Sequence, residues 1–128
     1  MKQTFENFIE LIKISCKKDP WTKNAGIKGY CHELRKESEE AIEAVEKKDD
    51  ENLKEELGDI LLDWVHICVM AEEKKLFLVN DVIEGATDKI NRRKPYLKTG
   101  QNLSAEEARR IWLEVKEKEK NYYEQKTK

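Results

Sequence analysis

The chain is poor in the residues that make turns. Five glycines and two prolines in 128 residues are too few for the frequent tight turns of a β-sandwich or barrel. The three cysteines, Cys16, Cys31 and Cys68, are an odd and irregularly spaced set, which argues against a disulfide framework. Taken with His32, they also lack zinc-ligand spacing. No apolar run approaches the ~18 residues needed to span a bilayer. The opening MKQTFENFIELIK is an acid-bearing amphipathic helix, not a signal peptide. Neither sign of charge dominates: 25 basic residues stand against 27 acidic ones, for a net charge of −2. That balance excludes nucleic-acid binding by bulk basicity. What remains is a single domain over residues 1–128, large enough to bury a core. The expectation is a cytoplasmic protein with no membrane and no nucleic-acid partner.

Charge itself is abundant. Charged residues make up 41% of the chain and hydrophobic ones 38%, a mixture suited to long solvated helices. The periodicity predicts helices over about residues 3–18, 27–47 and 51–74, then from about Asn80 to Pro95, then over about 105–125. Phe5, Phe8, Ile9, Ile12 and Cys16 form the apolar stripe of the first. DPWTKNAGIKG reads as a loop holding Trp21. Asp49 or Asp50 is placed to cap the third helix and Asn80 the fourth, and Ser104 with Glu107 forms a capping box for the last. Residues 124–128 are expected to fray. Between Ile60 and Met70 the third helix is apolar on most of its circumference, so it must be covered on several sides. The expected fold is all-α: a bundle of about five helices, with a four-helix core completed by dimerisation.

Two acid pairs stand out. Glu37 and Glu40 are three residues apart on the second helix, and Glu56 and Asp59 repeat that step on the third. The step places each pair on one helix face. On a helical wheel Glu37 and Glu40 border the apolar arc of Tyr30, Cys31, Leu34, Ala41, Ile42 and Val45, whereas Glu39, Glu43 and Glu46 lie on the far side. On the third helix Glu56, Asp59, Asp63 and His66 share one strip. If the helices pack together, four carboxylates converge, and they need cations to stay ionised. An oxygen-only donor set suits Mg²⁺ or Mn²⁺ and phosphate chemistry. The competing reading is that such pairs are ordinary solvated surface of a Lys/Glu-rich helix. Gly58, inside the third helix, costs roughly 1 kcal/mol against alanine and is expected where something approaches closely. Lys89, Arg92 and Arg93 form a basic cluster that is either a clamp on triphosphate oxygens or a solvated helix end.

The run from Asp19 to Trp64 resembles the MazG nucleoside triphosphate pyrophosphohydrolases, within the all-α group that includes the dimeric dUTPases. Pro20-Trp21 matches the family's loop. Lys36-Glu37-Ser38-Glu39-Glu40 occupies its E-E-x-x-E motif, and Glu56-Leu57-Gly58-Asp59 its E-x-x-D motif. DKINRRKPYL is similar to its basic segment. The resemblance is strongest over residues 19–97, and residues 101–128 form a C-terminal helix outside it. Lys36 stands where the family has its first motif glutamate, and Lys94-Pro95-Tyr96 replaces a His-Pro-His-like element.

The resemblance implies Mg²⁺-dependent hydrolysis of a (deoxy)nucleoside triphosphate to monophosphate and pyrophosphate. By the same token Glu37, Glu40, Glu56 and Asp59 hold the metal, and Glu37 or Glu40 takes a proton from water. Lys89, Arg92 and Arg93 hold the departing pyrophosphate, and Trp21 stacks on the base or closes the core. The partners implied are the nucleotide and a second copy of the chain, in a homodimer or a dimer of dimers. A narrow dUTP- or dCTP-type pyrophosphatase and a non-catalytic helical dimerisation module are the alternatives.

Overall fold

A computed structural model describes residues 1–126. It contains helices α1 (Lys2–Lys18), α2 (Pro20–Glu46), α3 (Asp50–Glu73), α4 (Val79–Arg93) and α5 (Ala105–Lys126), with a 3₁₀ turn at Pro95–Lys98. No strand occurs among the described residues. The all-α class and the five helices are as the sequence predicts. Helix α5 continues through Lys126; Thr127 and Lys128, the end of the segment expected to fray, lie outside the described residues. The chain forms two compact units, Met1–Val79 and the residues from Asn80 onward.

In the first unit α1, α2 and α3 enclose one core. Ile12 and Cys16 from α1, Tyr30 from α2, and Val65, Val69 and Met70 from α3 are its buried centre. Phe5, Phe8 and Ile9, the rest of the predicted stripe on α1, pack against it. Full burial of such a side chain stabilises by about 1.5–3 kcal/mol.

A tight turn at Lys47–Asp49 folds α2 back along α3. Lys48 takes φ 57°, and the Asp49 N–H donates to the Ala44 carbonyl at 3.0 Å, which closes the end of α2. Asp49 then caps α3 by accepting from the Asn52 N–H at 3.1 Å. This turn sets the register of everything that follows. Glu40 and Glu56 are equally far from Lys48 in sequence, as are Glu37 and Asp59, Glu33 and Asp63, and Tyr30 and His66. The positions alternate steps of three and four, the spacing of a coiled-coil seam. The seam is therefore acidic in its middle and aromatic at its far end.

Three local features differ from expectation. Asp19–Gly29 is not a loop but the start of α2. Asp19 caps the helix, accepting from the Thr22 N–H at 3.1 Å, and Pro20 occupies the first turn, where its missing N–H costs nothing. The break comes later, at Gly26, with φ 63° and ψ −169°. Helix α4 begins at Val79, so Asn80 lies inside it; the Val79 N–H is held by Glu72 Oε2 at 3.1 Å. On α2, Cys31, Ile42 and Val45 are exposed rather than packed, while Ala44 is fully buried.

Candidate metal centre

The seam brings carboxylates from α2 and α3 together. Glu37, Glu56 and Asp59 each offer an oxygen, and these three atoms lie within 4.8 Å of one another. Glu56 is 8% exposed. Glu37 Oε2 and Glu56 Oε2 are both buried without a hydrogen-bond partner. Glu40 lies at the exposed edge and interacts with both Glu37 and Glu56. The hydrogen bond with Glu56, then burial, then Glu40 raise the Glu37 pKa to about 8. For Glu56 that shared bond acts downward, but burial and Glu40 outweigh it and the net shift is upward. Burial and neighbouring acids oppose ionisation of both carboxyls, a cost that a bound cation would relieve.

The donor set fits such an ion. It is all oxygen, it is pre-assembled across two rigid helices, and two of its acceptors are buried and unused. Hard divalent cations take these ligands. Glu39 and Glu43, placed on the far side by the helical wheel, are exposed, and Glu43 faces Lys47 at 3.4 Å.

A third acidic layer continues the seam. Asp63 is 5% exposed and its Oδ2 has no partner. Burial first, then Glu33 and Asp59, push its pKa up to about 6. Beyond it His66 stacks on Tyr30 with ring centroids 4.4 Å apart and planes 11° apart. His66 Nδ1 faces the Leu62 carbonyl at 2.8 Å, so that nitrogen carries the proton. In the neutral ring Nε2 then accepts from Ser15 Oγ, 2.9 Å away. Thr22 Oγ1 donates to Asp19 Oδ2 at 2.6 Å, and it must therefore accept from the Tyr30 hydroxyl at 2.8 Å. No proton is left for the Ser15–Thr22 pair, which stands at 3.4 Å. This network ties all three helices together at one end of the acid seam. His66 was placed on the acid strip by sequence, but Ser15 and Thr22 carried no signal there, because only the tertiary fold brings them to it.

Trp21 lies in the first turn of α2, is 54% exposed, and meets Tyr30 edge-on with centroids 5.4 Å apart. It does not close the core. A Cβ at Gly58 would meet nothing within 4 Å, so no close approach within the chain accounts for that glycine. In the second unit Lys89, Arg92 and Arg93 occupy the last turns of α4. Arg92 and Arg93 both reach Glu119 of α5, at 2.7 and 2.8 Å. Ser104 caps α5 through the Glu107 N–H at 3.2 Å, and its hydroxyl donates to the Glu107 carboxylate at 3.1 Å. No helix is long and apolar enough to cross a membrane among the described residues.

The chain is similar to known proteins in sequence and in fold. The family model for the MazG nucleotide pyrophosphohydrolase domain matches residues 26–98. The nucleoside triphosphate pyrophosphohydrolase/pyrophosphatase MazG of Thermotoga maritima is 35% identical over 105 residues, covering 76% of this chain and 40% of that protein. The nucleoside triphosphate pyrophosphohydrolase of Escherichia coli K12 is 31% identical over 104 residues, covering 79% of this chain and 39% of its own length. The chain thus spans about two fifths of these two curated relatives. A crystal structure of a mazG-related protein from Thermotoga maritima superposes with a TM-score of 0.76 at 36% identity, covering 88% of this chain and 98% of that one. The family match takes in Glu37, Glu40, Glu56 and Asp59 and the basic end of α4, and a protein of similar extent shares the fold, so the chain belongs to the MazG nucleotide pyrophosphohydrolase domain family.

Proposed function

We propose that the chain hydrolyses (deoxy)nucleoside triphosphates to monophosphate and pyrophosphate. The observation that carries this reading is the Glu37–Glu56–Asp59 cluster, with its buried and unused oxygens. Relatives named as nucleoside triphosphate pyrophosphohydrolases support it. In the reaction a water oxygen bonds to the α-phosphorus and the bond from that phosphorus to the α–β bridging oxygen breaks. When bound at Glu37, Glu40, Glu56 and Asp59, Mg²⁺ or Mn²⁺ supplies neutralisation of the phosphates and a lowered pKa for water. With the cluster's charge neutralised by the bound cation, Glu37 or Glu40 would be ionised and would accept the proton that the water loses. Glu40 suits that role because it is the exposed member of the cluster. Lys89, Arg92 and Arg93 hold the departing pyrophosphate by charge-assisted hydrogen bonds. The exposed indole of Trp21 offers a stacking face for the base. A homodimer or dimer of dimers covers the apolar side chains that α2 and α3 leave exposed, and the site of action is the cytoplasm.

The test is pyrophosphate release from a panel of ribo- and deoxyribonucleoside triphosphates, with and without Mg²⁺. Metal-dependent release from several nucleotides is the expected result. Release from dUTP or dCTP alone marks a narrow pyrophosphatase. Release from none marks a non-catalytic helical module and overturns the proposal.

A further inference from the structure

The end of α4 holds two adjacent arginines that would be expected to repel one another, yet both converge on one carboxylate of α5. Glu119 Oε1 accepts from Arg92 Nε at 2.7 Å. Glu119 Oε2 accepts from Arg93 Nε at 3.3 Å and from Arg93 Nη2 at 2.8 Å. Arg93 and Glu119 are mostly enclosed, with side chains 12% and 20% exposed, whereas the Arg92 side chain is 51% exposed. Trp112, also on α5, takes the Arg93 guanidinium over its ring, 4.9 Å from the centroid. Hydrogen bonds from the two arginines hold the Glu119 carboxyl below its usual pKa, so it is a charged acceptor at neutral pH.

This arrangement holds Arg93 in place by its Nε–Nη2 edge and leaves its Nη1 unengaged by Glu119. Arg93 also lines a groove of ≈ 510 Å³ shared with Leu113, Lys116, Glu117, Glu119 and Lys120. Three cations and two carboxylates line that groove, which leaves it net positive. One carboxylate against two guanidiniums likewise leaves a net positive charge. An arginine already held in one rotamer loses less side-chain entropy when it binds an anion.

We propose that Glu119 is a positioning residue: it pre-sets the Arg92–Arg93 pair to bind the pyrophosphate portion of the nucleotide. The inference rests on the clamp reading of these arginines given above. It assigns α5 a part in the reaction, although Glu119 need not touch substrate.

The test is binding of inorganic pyrophosphate and of AMP, both with Mg²⁺, to wild type, Glu119→Gln, Glu119→Asp and Arg93→Ala. Loss of charge-assisted positioning should weaken pyrophosphate binding by Glu119→Gln about five- to tenfold, with AMP binding unchanged. A merely structural tie between α4 and α5 would not separate the two ligands. Glu119→Asp keeps the charge but draws it back, so it should weaken pyrophosphate in the same direction, and it carries the test should Glu119→Gln not fold. Wild-type pyrophosphate affinity in the folded Glu119 variants overturns the proposal. Tighter binding also overturns it, because Glu119 would then be competing with the ligand. If Arg93→Ala alone leaves pyrophosphate binding unchanged, the clamp reading itself fails, whatever Glu119 does.

Discussion

Asp63 shows what the acid seam costs at the level of one side chain. Its folded pKa of about 6 lies above its unfolded value of 3.8. An acid with a raised folded pKa destabilises the fold once it ionises. The loss begins as pH rises past the unfolded value and is complete above the folded one. Asp63→Asn should therefore melt higher than wild type at pH 7.5 and converge with it near pH 4, in calorimetry with chelator present. Equal melting temperatures at both pH values would show that the carboxyl is not strained. Glu37, raised to about 8, extends the same trend to higher pH. The metal-ligand assignment has its own test. Asp59→Ala and Glu40→Ala should abolish Mg²⁺-dependent turnover. Each relieves like-charge repulsion, so melting without metal should hold or rise, while the gain in melting temperature on adding Mg²⁺ should shrink. Glu39→Ala and Glu43→Ala, both on exposed faces, should change neither quantity. Near-normal turnover in Asp59→Ala would remove that residue from the site.

Among the elements, α2 carries the sharpest local requirement. Gly26 holds φ 63° and ψ −169° with no neighbour within 4 Å of a Cβ, so the backbone alone demands glycine there. Gly26→Ala should cost about 1–3 kcal/mol, read as a lower denaturation midpoint. A midpoint equal to wild type would mean that the break relaxes into continuous helix. The break also brings Ala25 to within 2.7 Å of where a Cβ on Gly29 would stand. Gly58 predicts the reverse. Open space surrounds it, so Gly58→Ala should stabilise α3 by up to about 1 kcal/mol. If that variant is more stable but inactive, the close approach expected at Gly58 comes from substrate or partner and not from the chain. Much of this element structure was legible in the sequence. Asp49 and Ser104 announced two helix starts, and the wheel separated Glu37 and Glu40 from Glu39 and Glu43. The start of α2 is hidden in the sequence, because a proline and two glycines from Asp19 to Gly29 suggest a loop. Asp19-Pro20 is in fact a cap followed by a first-turn proline. The cap on α4 was illegible, since Glu72 is seven residues away from the N–H it accepts.

For the whole molecule, the register about Lys48 decides what assembles. The turn pairs acid with acid in the middle of the seam and Tyr30 with His66 at its end, which no single helix pattern reveals. Its outer faces keep Ile42 and Val45 on α2 and Leu57 and Leu61 on α3 exposed. Leaving such side chains in water forgoes up to about 1.5–3 kcal/mol each. Light scattering at micromolar concentration should therefore report a dimer or a multiple of one, and a stable monomer would refute the assembly. The hydrogen bonds at the aromatic end also provide an internal clock. The imidazole proton of His66 is sealed where α1, α2 and α3 meet, bonded to Leu62 on one side of the ring while Ser15 occupies the other. Solvent deuterium can reach it only when those helices part. The proton should then exchange at the rate of global opening, while amides at exposed helix ends exchange by local fraying. Magnetic resonance of that one nitrogen would time how often the three-helix unit comes apart.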